Sequence, residues 1–246
     1  MKSQYIIGRN AVLEALITDA QFEKILISKT ANGDIIKEIS QTAKQRNIYV
    51  QFVPEIKLDS LIRQSHQGVV GVIQLVQYYD FQDIVNQSFD EGKMPLVIVL
   101  DGITDVRNFG AIARTALGLN ADLIIIPKKE SVSISADAIK TSAGALMKIP
   151  VCKSDNLITT IKDLKNNGLQ VVGLSSGNAN KNISEIDLNI PLVLVLGAED
   201  KGISTPVQKL LDHSAQLPMN ENLESYNVSV ANAIALYEIF KQRNKK

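Results

Sequence analysis

The sequence predicts an α/β protein: a parallel sheet covered on both faces, preceded by a smaller α/β unit. Two observations lead there. From Pro95 onward the chain carries the apolar, branched runs LVIVL, DLIIIP, LQVVGLSS and PLVLVLG, separated by segments of helical period. Strands without an alternating polar face belong to parallel sheets buried on both sides. Residues 1–76, by contrast, alternate short strand-like and helix-like stretches in a compact unit of their own. A chain of 246 residues that is 45% hydrophobic, with no block of like charge, has core enough for both.

In the first unit, Ala11 to Ile17 reads as a short helix, FEKILIS as a strand and DIIKEISQTAKQRN as a helix. IYVQFVP and HQGVVGVIQLV read as two further strands. Over residues 77–94 apolar periodicity weakens, and Asp80, Asp83, Asp90 and Glu91 outnumber Lys93, which predicts a connector with a helical turn or two. Residues 95–246 form the second domain.

Several function classes are disfavoured by composition. Lys plus Arg (26) equals Asp plus Glu (26), so no global basic field advertises a polyanionic partner, although a local basic face remains open. A single Cys152 rules out an internal disulfide framework, and with only His66 and His213 no metal-ligand spacing exists. The N-terminus lacks a signal-peptide core, and no apolar run approaches the roughly 18 residues of a membrane helix. The expectation is a soluble cytoplasmic protein without a metal.

In open parallel sheets ligands bind where strands end, and three such places are unusual. After PLVLVL comes GAEDKGIS, in which Gly197 and Gly202 have phosphate-loop spacing, but Ile203 stands where that motif needs Lys. What remains is a glycine-flanked turn carrying Glu199, suited to close backbone approach by a neutral or cationic ligand; an ordinary strand-to-helix turn fits equally. After LVIVL comes DGITDVRNFGAIARTA. Here Arg114 lies about 200° around the helix from Ile112 and Ala116, opposite the core stripe. Gly110, one turn earlier, would leave a bare surface there, with Asn108 in the turn beside it; a solvated Arg and an Asn cap are the plainer reading. After AQLP comes MNENLESYNVSVANAIALYEIF. Ser225 reads as an N-cap, and Val228, Ala231, Ala235 and Ile239 form the apolar face of a last helix, which suggests the floor of a pocket.

These three segments together resemble the ordered motifs of the SpoU/TrmH group of RNA ribose 2′-O-methyltransferases in the SPOUT superfamily. Residues 1–76, ending in HQGVVGVI, resemble the small substrate-binding domain of the members that act on 23S ribosomal RNA. The resemblance implies a C-terminal deep trefoil knot, S-adenosylmethionine bound within it, and a homodimer packed partly through the last helix. Carried over by motif, Asn108, Arg114, Glu199, Ser225 and Asn227 are the polar active-site positions. Cofactor contacts fall at Ser175, Gly197, Glu199, Gly202, Leu217, Met219, Ser225, Tyr226 and Asn227. Val106 stands where the family usually has Pro, and Tyr226 where it usually has Leu.

The implied reaction needs alignment and a proton acceptor for a ribose hydroxyl. The resemblance makes Arg114 the activator of that hydroxyl, but a guanidinium is a reluctant base, so Arg114 is expected instead to hold phosphate and stabilise alkoxide. The first unit would then grip RNA, with Arg9, Lys24, Lys29 and Lys44 as candidate phosphate contacts and His66 to Gly68 in a loop against RNA; solvated lysines are the competing reading. A guanosine of 23S ribosomal RNA is the expected target. A transfer-RNA enzyme of the same group and a non-catalytic RNA-binding factor that keeps the fold are the alternatives.

Overall fold

The computed structural model describes residues 5–18, 20–129, 131–175, 181–220, 222 and 224–244. Ser176, at the end of one expected strand, and Glu221 and Leu223, within the polar segment before the last helix, lie outside them. The chain divides into two compact units, Met1–Leu75 and Val76–Lys246.

The first unit runs β1 (Tyr5–Ile7), α1 (Arg9–Ile17), β2 (Phe22–Ser28), α2 (Asp34–Gln45), β3 (Val50–Val53), α3 (Glu55–Leu61) and β4 (Val69–Ile73). Its sheet has the order β1-β4-β2-β3. β4 pairs antiparallel with β1 and β2, while β3 joins β2 in parallel. Ile36, Ile39 and Ala43 of α2 recur at helical spacing and pack with Val12 and Leu16 of α1 on Ile25 and Ile27. Leu58 of α3 packs on the opposite face with Leu26, Val53 and Val70. β1 and α3 escape a periodicity reading because the first is three residues long and the second buries only Leu58.

The second unit begins with α4 (Phe81–Asp90), β5 (Leu96–Asp101), α5 (Val106–Gly118), β6 (Leu123–Pro127), α6 (Ala136–Thr141), β7 (Val151–Ser154) and α7 (Leu157–Asn166). It continues with β8 (Gln170–Leu174), β9 (Lys181–Asn182), β10 (Leu192–Gly197), α8 (Thr205–Gln208), β11 (His213–Gln216) and α9 (Val228–Arg243). All its strands are parallel, in the order β7-β6-β5-β10-β8-β11-β9. The apolar runs conceal a period of two. Leu96, Ile98 and Leu100 of β5 and Leu192, Leu194 and Leu196 of β10 enter one core with α5 and α9. The intervening Val97, Val99, Val193 and Val195 enter the other with Ile161 and Leu164 of α7. Both faces are therefore filled, with the smaller residue consistently on one side.

Residues 77–94, expected as a connector, carry the ten-residue α4, capped by Asp80 and burying Val85 against the sheet. The acidic residues obscured its period because only Val85 and Ser88 are buried. Two further sequence expectations change. Ser225 is not the cap of the last helix: Asn227 is, its side chain accepting from the Ser229 amide at 3.0 Å. Asn108 is not a cap either, since Asp105 accepts from the amides of Arg107 and Asn108 and starts α5 three residues earlier. Within α9 the buried set is Val228, Asn232, Ala235, Leu236 and Ile239. At its far end the Arg243 guanidinium donates to the carbonyls of Leu188, Met94, Pro95 and Ile190. That clasp ties the helix to the start of the sheet.

Candidate active site

The carboxyl ends of β5 and β10 lie in register, Asp101 beside Gly197. Beyond them the Asp101 carboxylate accepts from the Ser204 amide at 2.7 Å, joining the two outgoing loops. The β10 loop closes on itself: Gly202 N–H donates to the Ala198 carbonyl at 2.8 Å and Ala198 N–H to the Gly202 carbonyl at 3.1 Å. Gly202 has φ +65°, and a Cβ on Gly197 would stand 2.1 Å from the Gly202 carbonyl carbon. Both glycines are thus required by the turn itself, which sets Glu199 at its tip. This agrees with the turn reading that the sequence left open beside close approach by a ligand.

Glu199 meets two amides brought from distant parts of the chain. Its Oε1 accepts from Asn108 Nδ2 at 3.0 Å and from Asn227 Nδ2 at 2.6 Å, and Asn227 Nδ2 also donates to Asn108 Oδ1 at 3.0 Å. The orientation of both amides follows from their partners. Asn227 Oδ1 is committed to the backbone amide and hydroxyl of Ser229, so its nitrogen must face Glu199. Asn227 therefore starts α9 and completes the cluster with the same side chain.

This cluster stands between two cavities. The larger, of about 600 Å³, is lined by Ser175, Gly197, Glu199, Gly202, Leu217, Met219, Ser225 and Tyr226 among others. It thus gathers, from the ends of β8, β10 and β11 and the start of α9, all the expected cofactor positions except Asn227, which borders it through Glu199. The smaller, of about 290 Å³, is lined by Gly102, Ile103, Thr104, Asp105 and Asn108, and shares Ala198, Glu199, Asp200 and Val228 with the first. Sequence reasoning missed Asp200, Gln208 and Ser214 as lining residues; Gln208 and Ser214 lie outside the conspicuous motifs. Tyr226 donates from its hydroxyl to the Pro218 carbonyl at 3.1 Å, pinning the loop between β11 and α9.

Arg114 is exposed on α5, opposite the buried Ile112, Ala113 and Ala116, as its spacing predicts, but it lines neither cavity. Six residues past Asn108, it stands about 9 Å further along the helix axis. Gly110 does not leave the bare surface that was expected. It is buried, and a Cβ there would lie 2.7 Å from Thr141 Cβ, so its role is close packing of α5 on α6.

In the first unit, Arg9 is not a free phosphate contact. Its Nε donates to the Gln67 carbonyl at 2.9 Å and its Nη1 to the Asn32 carbonyl at 3.0 Å, clasping two loops. His66 is buried; its Nδ1 accepts from the Gly68 amide at 3.0 Å, which leaves Nε2–H to donate to Asp59 at 2.9 Å. The turn it holds has Gln67 at φ +51° and Gly68 at φ +78°. Lys29 and Lys44 are exposed, and Lys24 is half-buried.

Comparisons with known proteins agree with this architecture. The family described as SpoU rRNA Methylase matches residues 95–237, and the one described as RNA 2′-O ribose methyltransferase substrate binding matches residues 5–79. The chain is 39% identical over 244 residues to a Staphylococcus saprophyticus protein assigned to the TrmH family of tRNA/rRNA methyltransferases, covering 99% of this chain and 98% of that one. It is 34% identical over 240 residues to YacO of Bacillus subtilis, assigned to the same family, covering 98% and 96%. Among solved structures, the SpoU methyltransferase AviRb from Streptomyces viridochromogenes, in complex with AdoMet, superposes with a TM-score of 0.61 at 19% identity, covering 97% and 90%. The A. aeolicus TrmH/SpoU tRNA modifying enzyme does so with a TM-score of 0.57 at 29% identity, covering 61% and 76%. Matched across nearly its whole length, in both of its units, this chain belongs to the SpoU/TrmH family of RNA methyltransferases.

Proposed function

We propose that the protein transfers a methyl group from S-adenosylmethionine to the ribose 2′-hydroxyl of a guanosine in 23S ribosomal RNA, acting as a cytoplasmic homodimer. The observation that carries this reading is the Asn108–Glu199–Asn227 cluster on the wall between two cavities, since a two-substrate transfer needs donor and acceptor to meet at one place. The larger cavity fits the cofactor. Leu174, Leu196, Leu211 and Leu217 offer apolar surface for an adenine, and the Glu199 and Asp200 carboxylates suit a cationic sulfonium and ammonium. Bound there, the cofactor would supply a methyl group already activated by its sulfonium charge.

The remaining chemistry belongs to this chain. Asn108 and Asn227 donate to one oxygen of Glu199 and hold the carboxylate in place, which leaves its second oxygen to orient a hydroxyl. Ser225 borders the cofactor cavity with a free hydroxyl among the described residues. Arg114, outside both cavities, holds an RNA phosphate, and the proton of the 2′-hydroxyl leaves through phosphate or water. Such a division suits a guanidinium, which binds phosphate in two places but is a poor base.

Val230, Ile234 and Tyr237 supply the dimer face: they recur at helical spacing on α9, with Val230 and Tyr237 exposed by 45% and 62%. A trefoil knot in the second unit is supported by the strand order, in which β11 lies between β8 and β9 although it follows β10. The first unit presents RNA through the loops that Arg9 and His66 hold, with Lys29 and Lys44 free to meet phosphate. No described helix is long and apolar enough to cross a membrane. Mapping 2′-O-methyl groups in ribosomal and transfer RNA from cells with and without the protein tests the proposal. Loss of one methyl group from a 23S guanosine is expected; loss from a transfer RNA would move the substrate, and no loss would overturn the catalytic reading.

A further inference from the structure

The Glu199 turn leaves β10 at Gly197, and its return limb is fixed at a single peptide group, the one between Ile203 and Ser204. The Ser204 N–H donates to Asp101 Oδ2 at 2.7 Å, and the Ile203 carbonyl accepts from Gln208 Nε2 at 2.7 Å. Asp101 ends β5 and Gln208 ends α8, so one peptide is gripped at both its polar groups by side chains of two different elements. The Ile203 side chain anchors the same point: it is buried, and it fills the space over Gly173, where a Cβ would lie 2.7 Å from its Cδ1. Of these anchors only Asp101 stands on the segment that leads to Asn108. Alternation along β5 turns its carboxylate to the face of the sheet that packs Val97, Val99, Ile203 and Val207, away from the side of Leu100.

The outgoing loops of β5 and β10 are therefore joined by two bonds. Asp101 holds Ser204 near their roots, and Asn108 donates to Glu199 at 3.0 Å further out. One bond alone would let the turn pivot; two fix the Glu199 carboxylate relative to Asn108. Asp101 itself lines neither cavity, so what it does for the reaction must pass through another residue. Resting on the reading of Glu199 as the group that orients the hydroxyl, we infer that Asp101 is a positioning residue for methyl transfer: by gripping the Ile203–Ser204 peptide it aims the Glu199 carboxylate at the wall where the two cavities meet. A carboxylate suits the task, because a charged acceptor makes a shorter and stronger bond to a backbone N–H than a neutral one does.

The test uses the full chain as wild type, Asp101→Ala, Asp101→Asn, Glu199→Gln and the double variant that joins Asp101→Ala to Glu199→Gln. Labelled S-adenosylmethionine is the donor, and deproteinised ribosomal and transfer RNA from cells lacking the protein is the acceptor. Asp101→Ala is expected to lower kcat by about tenfold to a hundredfold, since a misplacement of ~1 Å can cost ~10²-fold. KM for S-adenosylmethionine should move by less than about threefold, because Gly197 and the Ala198–Gly202 bonds still shape the cavity wall. Asp101→Asn keeps an oxygen for the Ser204 amide and should recover kcat to within about threefold of wild type. In the Glu199→Gln background, Asp101→Ala should cost less than about twofold, since a residue that acts only through the Glu199 carboxylate has nothing left to aim. Hydrogen exchange on the cofactor-free protein adds a readout that needs no RNA: amides of residues 199–204 should exchange about tenfold faster in Asp101→Ala and not in Asp101→Asn, with β5 and β10 unchanged. Losses that multiply in the double variant, wild-type kcat in Asp101→Ala, or unchanged exchange in the turn would overturn the inference and leave the methyltransferase reading standing. Full turnover by Glu199→Gln would instead sink the reading of the cluster, and the inference with it.

Discussion

Asn227 performs two tasks that one substitution separates. Replacing it with Asp keeps an oxygen to accept from the Ser229 amide and hydroxyl, so the start of α9 remains capped, and the new charge gains roughly 0.5 kcal/mol from the helix dipole. The donations to Glu199 at 2.6 Å and to Asn108 at 3.0 Å are lost, at about 1 kcal/mol each. In their place two carboxylates face each other across the former hydrogen bond. At about 4 Å their repulsion lies between roughly 1 kcal/mol in water and 4 kcal/mol near a protein surface, and the exposure of both side chains favours the lower end. The sum predicts a loss of about 2–3 kcal/mol, seen as a thermal midpoint lower by roughly 5–10 °C. Asn227→Ser retains a cap without the charge but loses the same two donations, so it should lose about 2 kcal/mol. The difference between the two variants isolates the repulsion and should nearly vanish in about 1 M salt, where screening acts within ~3 Å. Thermal melts at low and high salt, paired with cofactor titrations, make the measurement. An Asp variant as stable as wild type, or no worse than the Ser variant at low salt, would refute the geometry of the cluster.

Arg243→Met should destabilise the second unit by about 2–4 kcal/mol, measured by urea denaturation, because four backbone carbonyls lose their donor; burial pushes this guanidinium's pKa down, which partly offsets the loss. Asn232 is fully buried with both amide atoms unpaired among the described residues, so Asn232→Ala should raise the thermal midpoint by the equivalent of about 1–2 kcal/mol, and a fall would mean that the amide has a partner such as buried water. Tyr226→Phe removes only the bond to the Pro218 carbonyl and should weaken S-adenosylmethionine binding about fivefold by calorimetry while leaving the melt unchanged within about 1 kcal/mol. Cys152 is buried and its thiol pKa is pushed up to about 12, chiefly by desolvation and secondarily by Asp80, so iodoacetamide at neutral pH should label the protein only after denaturation.

Sequence alone determined the central strands and the long helices, because their signals are local. LVIVL and PLVLVLG are apolar enough to demand burial wherever they sit, and Ile112, Ala113 and Ala116 put Arg114 on the outer face of its helix through backbone geometry alone. The short elements were not legible: β7, with the sequence VCKS, and β11, with HSAQ, are strands because β6 and β8 supply partners, not because their residues prefer it. The motif residues could be named from sequence, yet their company could not. Asn108 and Asn227 are 119 residues apart and become partners only when β5 and β10 pair and α9 packs on α5. The caps moved for a related reason: Ser225 and Asn227 have the same local credentials, and only the position of Glu199 decides which side chain turns inward. Gly110 and Gly197 carry the same lesson, since a glycine's purpose lies in what a Cβ would strike, and both the Thr141 side chain and the Gly202 backbone arrive through tertiary contact.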